Sequence, residues 1–273
     1  MKQVQEKAYA KINLTLGVRC KRADGYHELD MLMQTVSLYD SVTVERASGI
    51  TVTSVGMMLP YNNTMRRAAE YYAALTGLGA NIRVVKRIPA VAGLGGGSAD
   101  AAAVLRAMDR LYGDVDPGTV KEIALKVGAD VPFCYRGGLC RAEGIGEVLT
   151  PIRGMALHFV IAKPAEGVST KALFDALTLP RKMPDTASAM RALSEGDLEG
   201  LSACMYNALE EPAVRLVPEI AVLRDRLTEN GAVKACMTGS GSAVFGLFRT
   251  AGEAEEAADR MKDVPFCAAV ESV

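Results

Sequence analysis

The sequence has few of the residues on which several common kinds of catalytic and metal site depend. It contains two histidines, His27 and His158, no tryptophan, and no GxSxG motif to place a serine nucleophile on a sharp turn. A Ser-His-Asp hydrolase would have to use one of these two histidines. The six cysteines are scattered, with no CxxC pair and no matching pair of histidines, so neither a zinc site nor a disulfide framework is expected. We predict that the cysteines are reduced and structural.

Net charge and long apolar runs are also scarce. Lysine and arginine number 31 against 32 acidic residues, and the isoelectric point is about 6.2, which argues against attachment to nucleic acid or an anionic membrane by bulk charge. No segment approaches the ~20 continuous apolar residues of a membrane span, and charges stand where a signal peptide has its apolar stretch. We therefore expect a cytoplasmic protein with no nucleic-acid partner and no membrane partner.

Hydrophobic and polar residues alternate over residues 11–19, which predicts a half-buried strand with Lys11 and Asn13 on its polar face. Asp24-Gly25 marks a turn after this strand. Three further strands and one helix are predicted before the first proline-glycine cluster: strands over 41–46, 50–55 and 81–88, and a helix over about 64–75.

Four glycines, Gly93, Gly95, Gly96 and Gly97, stand directly before a predicted helix with Ser98 as its N-cap. Glycine lets the backbone approach a ligand closely, and a helix N-terminus offers unpaired N–H donors, so this loop suits a phosphate group. A tight turn without a ligand is the alternative. The loop has no lysine for a Walker motif, and no second strand follows the helix as a dinucleotide fold requires.

A helix over about 119–127 is expected to end at Gly128 in a left-handed conformation, leaving Asp130 in a turn.

The chain well beyond this turn predicts another α+β unit. After a break near Arg153-Gly154, the pattern predicts a strand over 157–163, several helices between 170 and 229, a strand over 232–237, a glycine loop between strands, a helix over 251–262 and a strand over 266–272.

Five segments together resemble the GHMP kinase superfamily over nearly the whole chain. They are AYAKINLTLGVRCKRADGYHEL (8–29), PAVAGLGGGSA (89–99), GADVP (128–132), AEGIGE (142–147) and TGSGSAVFG (238–246). The resemblance implies an α+β, two-domain GHMP kinase fold, with a ribosomal S5 domain 2-like N-terminal domain (1–153) and a ferredoxin-like C-terminal domain (154–273). It also implies an ATP-dependent small-molecule kinase that phosphorylates an alcohol, with Mg²⁺ as a second cofactor.

The 8–29 segment is similar to that of the superfamily members that act on a cytidine diphosphate-linked methylerythritol. This resemblance implies phosphorylation of the tertiary 2-hydroxyl of the methylerythritol portion, in the non-mevalonate (MEP) route to isoprenoid precursors. Taken from the residues alone, Asp130 reads as a surface turn residue and Lys11 as a solvated lysine. The resemblance instead gives Asp130 the role of catalytic base and Lys11 that of a cation that keeps Asp130 ionised and neutralises developing charge.

The resemblance also supplies binding residues. Asn13 is expected to hydrogen-bond the substrate, Tyr26 to stack on the cytosine ring, His27 to bond its polar edge, and Phe174 to give a second stacking face. The residues expected to bind substrate near the phosphates are Gly239, Ser240 and Gly241. The residues expected to bind ATP are Pro89, Ala90, Val91, Ala92, Gly93, Leu94, Gly95, Gly96, Gly97, Ser98, Ala99, Asn63 and Lys86. Thr64 stands where the family usually has an apolar residue, and no protein ligand for Mg²⁺ is assigned.

Three other functions remain open from the sequence. They are a GHMP kinase acting on another alcohol such as mevalonate or homoserine, a nucleotide-binding regulator without catalysis, and a nicotinamide-dependent reductase. The presence of both Lys11 and Asp130 argues against the regulator. The expected assembly is a monomer or a weak homodimer.

Overall fold

A computed structural model describes residues 2–113, 115–179 and 181–273. Its strands are β1 (Gln3–Lys21), β2 (His27–Ala47), β3 (Ile50–Val55), β4 (Gly79–Val85), β5 (Leu139–Gly144), β6 (Val148–Pro151), β7 (His158–Lys163), β8 (Tyr206–Asn207), β9 (Lys234–Met237), β10 (Val244–Phe248) and β11 (Phe266–Glu271). Its helices are α1 (Thr64–Thr76), α2 (Gly96–Tyr112), α3 (Pro117–Val127), α4 (Val131–Arg136), α5 (Thr170–Asp175), α6 (Thr186–Glu195), α7 (Leu198–Cys204), α8 (Glu210–Leu216), α9 (Glu219–Glu229) and α10 (Ala251–Arg260).

The chain forms two compact units whose segments alternate along the sequence. The first unit comprises the residues up to Ala10, Leu38–Ile88 and Gly95–Gly137. The second comprises Lys11–Ser37, Pro89–Leu94 and Gly138–Val273. Strands β1 and β2 are long enough that each contributes residues to both units. The division at residue 153 inferred from the sequence therefore stays a prediction about domains and does not coincide with these units.

The first unit packs α1, α2, α3 and α4 around a core shared with segments of four strands, β1 to β4. Strand β4 runs parallel to β3 and antiparallel to the second half of β2, with Val44 opposite Ile82. Alanines dominate the buried face of α2, and small side chains let neighbouring helices approach closely. The buried side chains of this core include Met65, Tyr72, Ile82, Leu105, Met108 and Val131.

The second unit contains an antiparallel four-stranded sheet in the order β11-β7-β10-β9, against which α9 and α10 pack. Phe159 and Phe245 meet edge to face in its core, with ring centroids 5.7 Å apart. Strand β5 pairs with the first half of β2 and with β6, and the short β8 pairs with β1 at Thr15. These two mixed α+β units confirm the predicted fold class.

Most predicted elements are confirmed, but three local expectations are wrong. Helix α2 begins at Gly96 with Gly95 as N-cap, so Ser98 lies inside the first turn and does not cap it. Gly128 ends α3 with φ 174°, an extended conformation, and not in the left-handed region. Strand β1 is buried on both faces around Lys11 and Asn13, so it is not half-buried there.

A fourth difference concerns Asp130. The residue lies in the predicted turn beyond α3, and it also occupies the N-cap position of α4, a six-residue helix that the sequence did not predict. Two buried side chains, Val131 and Phe133, anchor this helix, and Pro132 suits its first turn. A carboxylate at a helix N-terminus is electrostatically favoured.

Candidate active site

The part of the first glycine loop that belongs to the first unit opens directly into α2. Gly95 adopts φ 69°, which favours glycine, and no side chain caps the helix within the described residues. The backbone N–H groups of the first turn, around Gly97 and Ser98, therefore have no side-chain acceptor at the cap position. Such a terminus, with its partial positive charge, is suited to an anionic ligand. Ala99, predicted at the end of the loop, is buried in the same helix.

Helix α1 supports this terminus from the side. The hydroxyl of Thr64, the first residue of α1, donates a hydrogen bond to the carbonyl of Gly97. Asn63 is the N-cap of α1, where its side chain accepts a bond from the Arg66 N–H at 3.0 Å. Thr64 thus has a structural reason to be polar, and Asn63 has a capping role beside its predicted nucleotide contact.

A buried ionic cluster lies at the start of α2. Lys86 Nζ is 2.6 Å from Asp100 Oδ2 and forms a second, shorter contact with Asp40 Oδ2. The other oxygen of Asp40 accepts bonds from the backbone N–H groups of Arg87 and Ile88, which fixes the chain leading into the loop. Lys86, predicted to reach ATP, is therefore buried between two carboxylates, and its contact with nucleotide stays a prediction.

Asp100 is strongly affected by this cluster. Burial, together with the negative charge of Asp40, raises its pKa to about 7, although the ammonium group of Lys86 acts in the opposite direction. The positive charge of Lys86 balances only one of the two carboxylates. Because the cluster is buried, a proton on the second carboxylate is favoured. The remaining oxygen, Asp100 Oδ1, has no hydrogen-bond partner among the described residues.

The second unit holds the other part of the loop, where two glycine loops pack against each other. Gly93 has φ 72°, and a methyl group on it would overlap the carbonyl of Thr238. A methyl group on Gly239 would lie 2.7 Å from the Gly93 carbonyl. The Ala243 N–H donates to Ala92 O at 3.1 Å, which extends the contact along both loops. Only glycine permits this approach at both positions.

Within the same loop region, Leu94 is buried and its carbonyl accepts the backbone N–H of Lys11 at 3.0 Å. Val91 has φ 49° and an exposed side chain. Pro89 and Ala90 precede it outside any helix or strand.

Lys11 lies beside these loops in the second unit. Its ammonium group donates to Asn13 Oδ1 at 2.8 Å and lies 3.1 Å from the position of a methyl group on Gly239. Lys11 is only 4% exposed and Asn13 only 1%, so the polar face of β1 is covered here. The structure therefore brings together Lys11, Asn13 and the second glycine loop, and their service in one site stays a prediction.

Two residues that sequence reasoning did not select hold this arrangement in place. The hydroxyl of Thr238 accepts the backbone N–H of Asn13 at 3.0 Å. The side-chain amide of Asn207 donates to the carbonyls of Met237 and Gly239, at 2.8 and 2.9 Å. Thr238 is the first residue of the TGSGSAVFG segment, so the resemblance of that segment to the family could have pointed to it. Nothing in the sequence pattern around Asn207 distinguishes Asn207.

The predicted pyrimidine-binding residues are partly assembled in the second unit. His27 and Phe174 stack with their ring centroids 4.7 Å apart and an interplanar angle of 26°. Partial burial and the charge of Lys21 lower the pKa of His27, which favours the neutral imidazole. Tyr26 follows the Asp24-Gly25 turn and is 59% exposed. Ser240, in the second glycine loop next to Gly241, shares a hydrogen bond of 2.8 Å with Thr170 at the start of α5.

Asp130 is half-buried in the first unit. Its carbonyl accepts the N–H of Cys134 at 3.0 Å, the first backbone bond of α4. The short helix therefore holds the backbone of Asp130 at its N-cap.

Two family models match the chain. The GHMP kinase N-terminal domain matches residues 63–138, which include the first glycine loop and Asp130. The GHMP kinase C-terminal domain matches residues 189–265, which include the second glycine loop. The predicted superfamily is therefore confirmed.

Relatives in sequence identify the family within this superfamily. A 4-diphosphocytidyl-2-C-methyl-D-erythritol kinase from Alkaliphilus metalliredigens is 42% identical, over 96% of this chain and 93% of the relative. A kinase of the same name from Clostridium botulinum is 38% identical, over 94% of this chain and 95% of the relative. The chain belongs to the 4-diphosphocytidyl-2-C-methyl-D-erythritol kinase family.

Solved structures agree with this family. A crystal structure of 4-(cytidine 5'-diphospho)-2C-methyl-D-erythritol kinase superposes with a TM-score of 0.86 at 37% identity, covering 98% of this chain and 99% of that one. Homoserine kinase from Cytophaga hutchinsonii superposes with a TM-score of 0.78 at 20% identity, covering 100% of this chain and 95% of that one. At that identity the second structure shows a shared fold only.

Like its family, the chain is an ATP-dependent small-molecule kinase. In the described ranges, no helix has both the length and the apolar character needed to cross a membrane.

Proposed function

We propose that this chain transfers the γ-phosphoryl group of ATP to the 2-hydroxyl of 4-diphosphocytidyl-2-C-methyl-D-erythritol, in the non-mevalonate route to isoprenoid precursors. The observation that supports this most directly is the grouping in the second unit. A buried lysine ammonium, the Asn13 amide and two closely packed glycine loops stand together in a chain that belongs to this kinase family.

Each part of this group suits one requirement of phosphoryl transfer. The reaction needs charge compensation on the transferred group and an acceptor for the hydroxyl proton. Lys11 supplies a positive charge in a buried setting, where it acts more strongly than in water. Asp130 is the proposed acceptor of the proton, and Asn13 is the proposed contact to the substrate.

ATP fits the residues present. The loop leading into α2 has a left-handed glycine and an uncapped first turn within the described residues. These features favour close approach of backbone N–H groups to phosphate oxygens. ATP supplies the phosphoryl group when bound, and Mg²⁺ is proposed to enter with its phosphates, without an assigned protein ligand.

The stacked His27 and Phe174 support a cytidine moiety as the recognised part of the substrate. A neutral imidazole offers one donor and one acceptor, which suits hydrogen bonding to the polar edge of a pyrimidine. Aromatic stacking on a base contributes about 1–3 kcal/mol per base. Tyr26, which is exposed, is proposed to stack on the base, with Phe174 as the second stacking face.

The decisive experiment is a coupled assay of ADP release with the cytidyl substrate, with and without Mg²⁺. We expect ADP release that requires both the cytidyl substrate and the metal. Mevalonate and homoserine serve as alternative acceptors. Turnover with either of these and none with the cytidyl substrate would reject the proposed acceptor while leaving the kinase assignment intact.

A further inference from the structure

Arg106 lies in the middle of α2, and its guanidinium donates hydrogen bonds to two other elements of the first unit. Nη1 donates to the carbonyls of Cys134 and Tyr135, at 2.8 and 3.3 Å. Nη2 donates to the carbonyl of Lys7 at 3.1 Å, and Nε donates to Glu6 Oε2 at 3.1 Å. One side chain on α2 therefore reaches both β1 and the C-terminal turn of α4.

Helix α4 depends on outside contacts because it is short. A helix of six residues has few internal hydrogen bonds, and the carbonyls of its last turn have no amide donor within the helix. Arg106 provides donors to two of these carbonyls, and its positive charge suits the carbonyl end of the helix. Asp130 is the N-cap at the opposite end of the same helix.

Three features of the proposed catalytic machinery are thus linked to Arg106. The link runs either through α2, which carries Arg106, or through β1 and α4, which its side chain contacts. Helix α2, which carries Arg106, begins at the glycine loop. Strand β1 reaches Lys11 four residues after the Lys7 carbonyl that Arg106 binds. Helix α4 carries Asp130.

We propose that Arg106 is a positioning residue for phosphoryl transfer, fixing the direction of Asp130 by holding the carbonyl end of α4. This inference rests on the proposed function, because it requires that Asp130 act on the substrate hydroxyl. Arg106 itself does not contact substrate in this account. Its loss lets α4 tilt or fray from its carbonyl end, and a misdirected carboxylate lowers the rate of transfer more than the binding of nucleotide.

The chain offers a matched control one helical turn away. Arg110 also forms an ion pair with Glu6, but through the other carboxylate oxygen, and its side chain is 62% exposed against 21% for Arg106. No contact of Arg110 with the carbonyls of α4 is found in the described residues. Arg106→Met and Arg110→Met therefore remove the same charge and the same kind of ion pair, but only the first removes the contacts to α4.

The test measures kcat, KM for ATP and melting temperature for both variants. We expect Arg106→Met to lower kcat by about 10- to 100-fold, the scale of a small misplacement of a reacting group, with KM for ATP changed less than about threefold. Arg110→Met should keep kcat within about twofold. Equal kcat losses in the two variants would overturn the inference.

A second pair of variants serves if Arg106→Met does not fold. Arg106→Lys keeps the charge but has one donor group in place of three, and it is measured against Arg110→Lys. We expect the same difference in kcat between these two variants, and equal losses in both would again overturn the inference.

A double-mutant cycle separates positioning from general destabilisation. In an Asp130→Asn background, Arg106→Met should reduce the residual kcat by less than about threefold, because the carboxylate that it positions is already absent. A full, undiminished effect in that background would reject the link to Asp130. Near-normal turnover of Asp130→Asn alone would instead reject the base assignment under the proposed function, and that failure is distinguishable because it does not involve Arg106.

Discussion

At the residue scale, the position of Asp130 changes how its chemistry is understood. The residue stands at the N-terminus of α4, where a negative charge is favoured, and a backbone bond from Cys134 fixes its carbonyl. We expect Asp130→Asn to lower kcat by at least about 100-fold, the scale of losing a general base, while the affinity for ATP stays near normal because the amide has the same shape. Single-turnover kinetics and nucleotide titration measure both quantities. Turnover near that of the unaltered enzyme would contradict the assignment.

A second residue-scale prediction concerns Asp100 beneath the glycine loop. Its folded pKa of about 7 lies above that of an ordinary carboxyl, so the folded state retains a proton that the unfolded chain has released. The resulting stabilisation is fully present below about pH 4 and is lost as the pH rises towards about 7. Asp100→Asn lacks this dependence. The free energy of unfolding of the unaltered protein, minus that of the variant, should therefore fall by about 2 kcal/mol between pH 5 and 7.

Urea unfolding at pH 5, 6, 7 and 8 measures this difference. Asp109→Asn, on the same helix, controls for the effect of the substitution on helix propensity. A difference between the unaltered protein and Asp100→Asn that is constant across the series would show that Asp100 is not protonated in the folded state at mildly acidic pH.

The sequence indicated some of these residues but not their surroundings. Lys11 and Asn13 stood out because they alternate with apolar residues in a segment that resembles a family signature. Burial of this polar face was not predictable, since the covering Thr238 lies 225 positions away along the chain. The two ion pairs of Lys86 were equally unpredictable, because its carboxylate partners lie in β2 and α2 and share no local sequence pattern with it.

At the element scale, the contact between the two glycine loops makes a prediction about Gly93. An alanine there would have to adopt φ 72° and would overlap the Thr238 carbonyl, so the loops would separate. We expect Gly93→Ala to lower the free energy of unfolding by about 2 kcal/mol, from left-handed strain and overpacking. We also expect a decrease in kcat/KM for ATP of at least about tenfold, since backbone donors would move from their phosphate.

Gly252→Ala in α10 is the control for this prediction. A methyl group at Gly252 would meet no described atom within 4 Å, and the residue is helical, so alanine should leave activity unchanged and raise stability by up to about 1 kcal/mol. Urea unfolding and ATP-dependent rates are compared for both variants. Equal behaviour of Gly93→Ala and Gly252→Ala would remove the argument from close packing of the loops.

Elements with strong periodicity were predictable, and short ones were not. Strand β3 matches its prediction and α1 ends one residue beyond its own, because alternation and helical spacing determine them locally. Helix α4 was missed since six residues containing a proline carry no readable period. Strand β2 is 21 residues long, whereas only its 41–46 portion was predicted, because much of the remainder is buried on both faces and does not alternate.

At the scale of the whole molecule, segments of the two units alternate along the chain. This alternation is the property that is hardest to predict from the sequence. Composition shifts and a break near residue 153 are local signals, whereas the grouping of residues 11–37 and 89–94 with 138–273 depends on contacts between distant segments. The family model over 63–138 spans residues of both units, whereas the model over 189–265 lies within the second unit.

This arrangement predicts one cooperative unfolding transition. Strands β1 and β2 each carry residues of both units, so neither unit can unfold without disrupting strands that the other needs. Calorimetry should therefore give a single peak whose calorimetric and van 't Hoff enthalpies agree. A non-hydrolysable ATP analogue at about 100 times its Kd should raise the stability of that transition by about 2.7 kcal/mol and shift the whole peak to higher temperature. Two resolved peaks, or a shift confined to part of the transition, would show that the units unfold independently despite the strands they share.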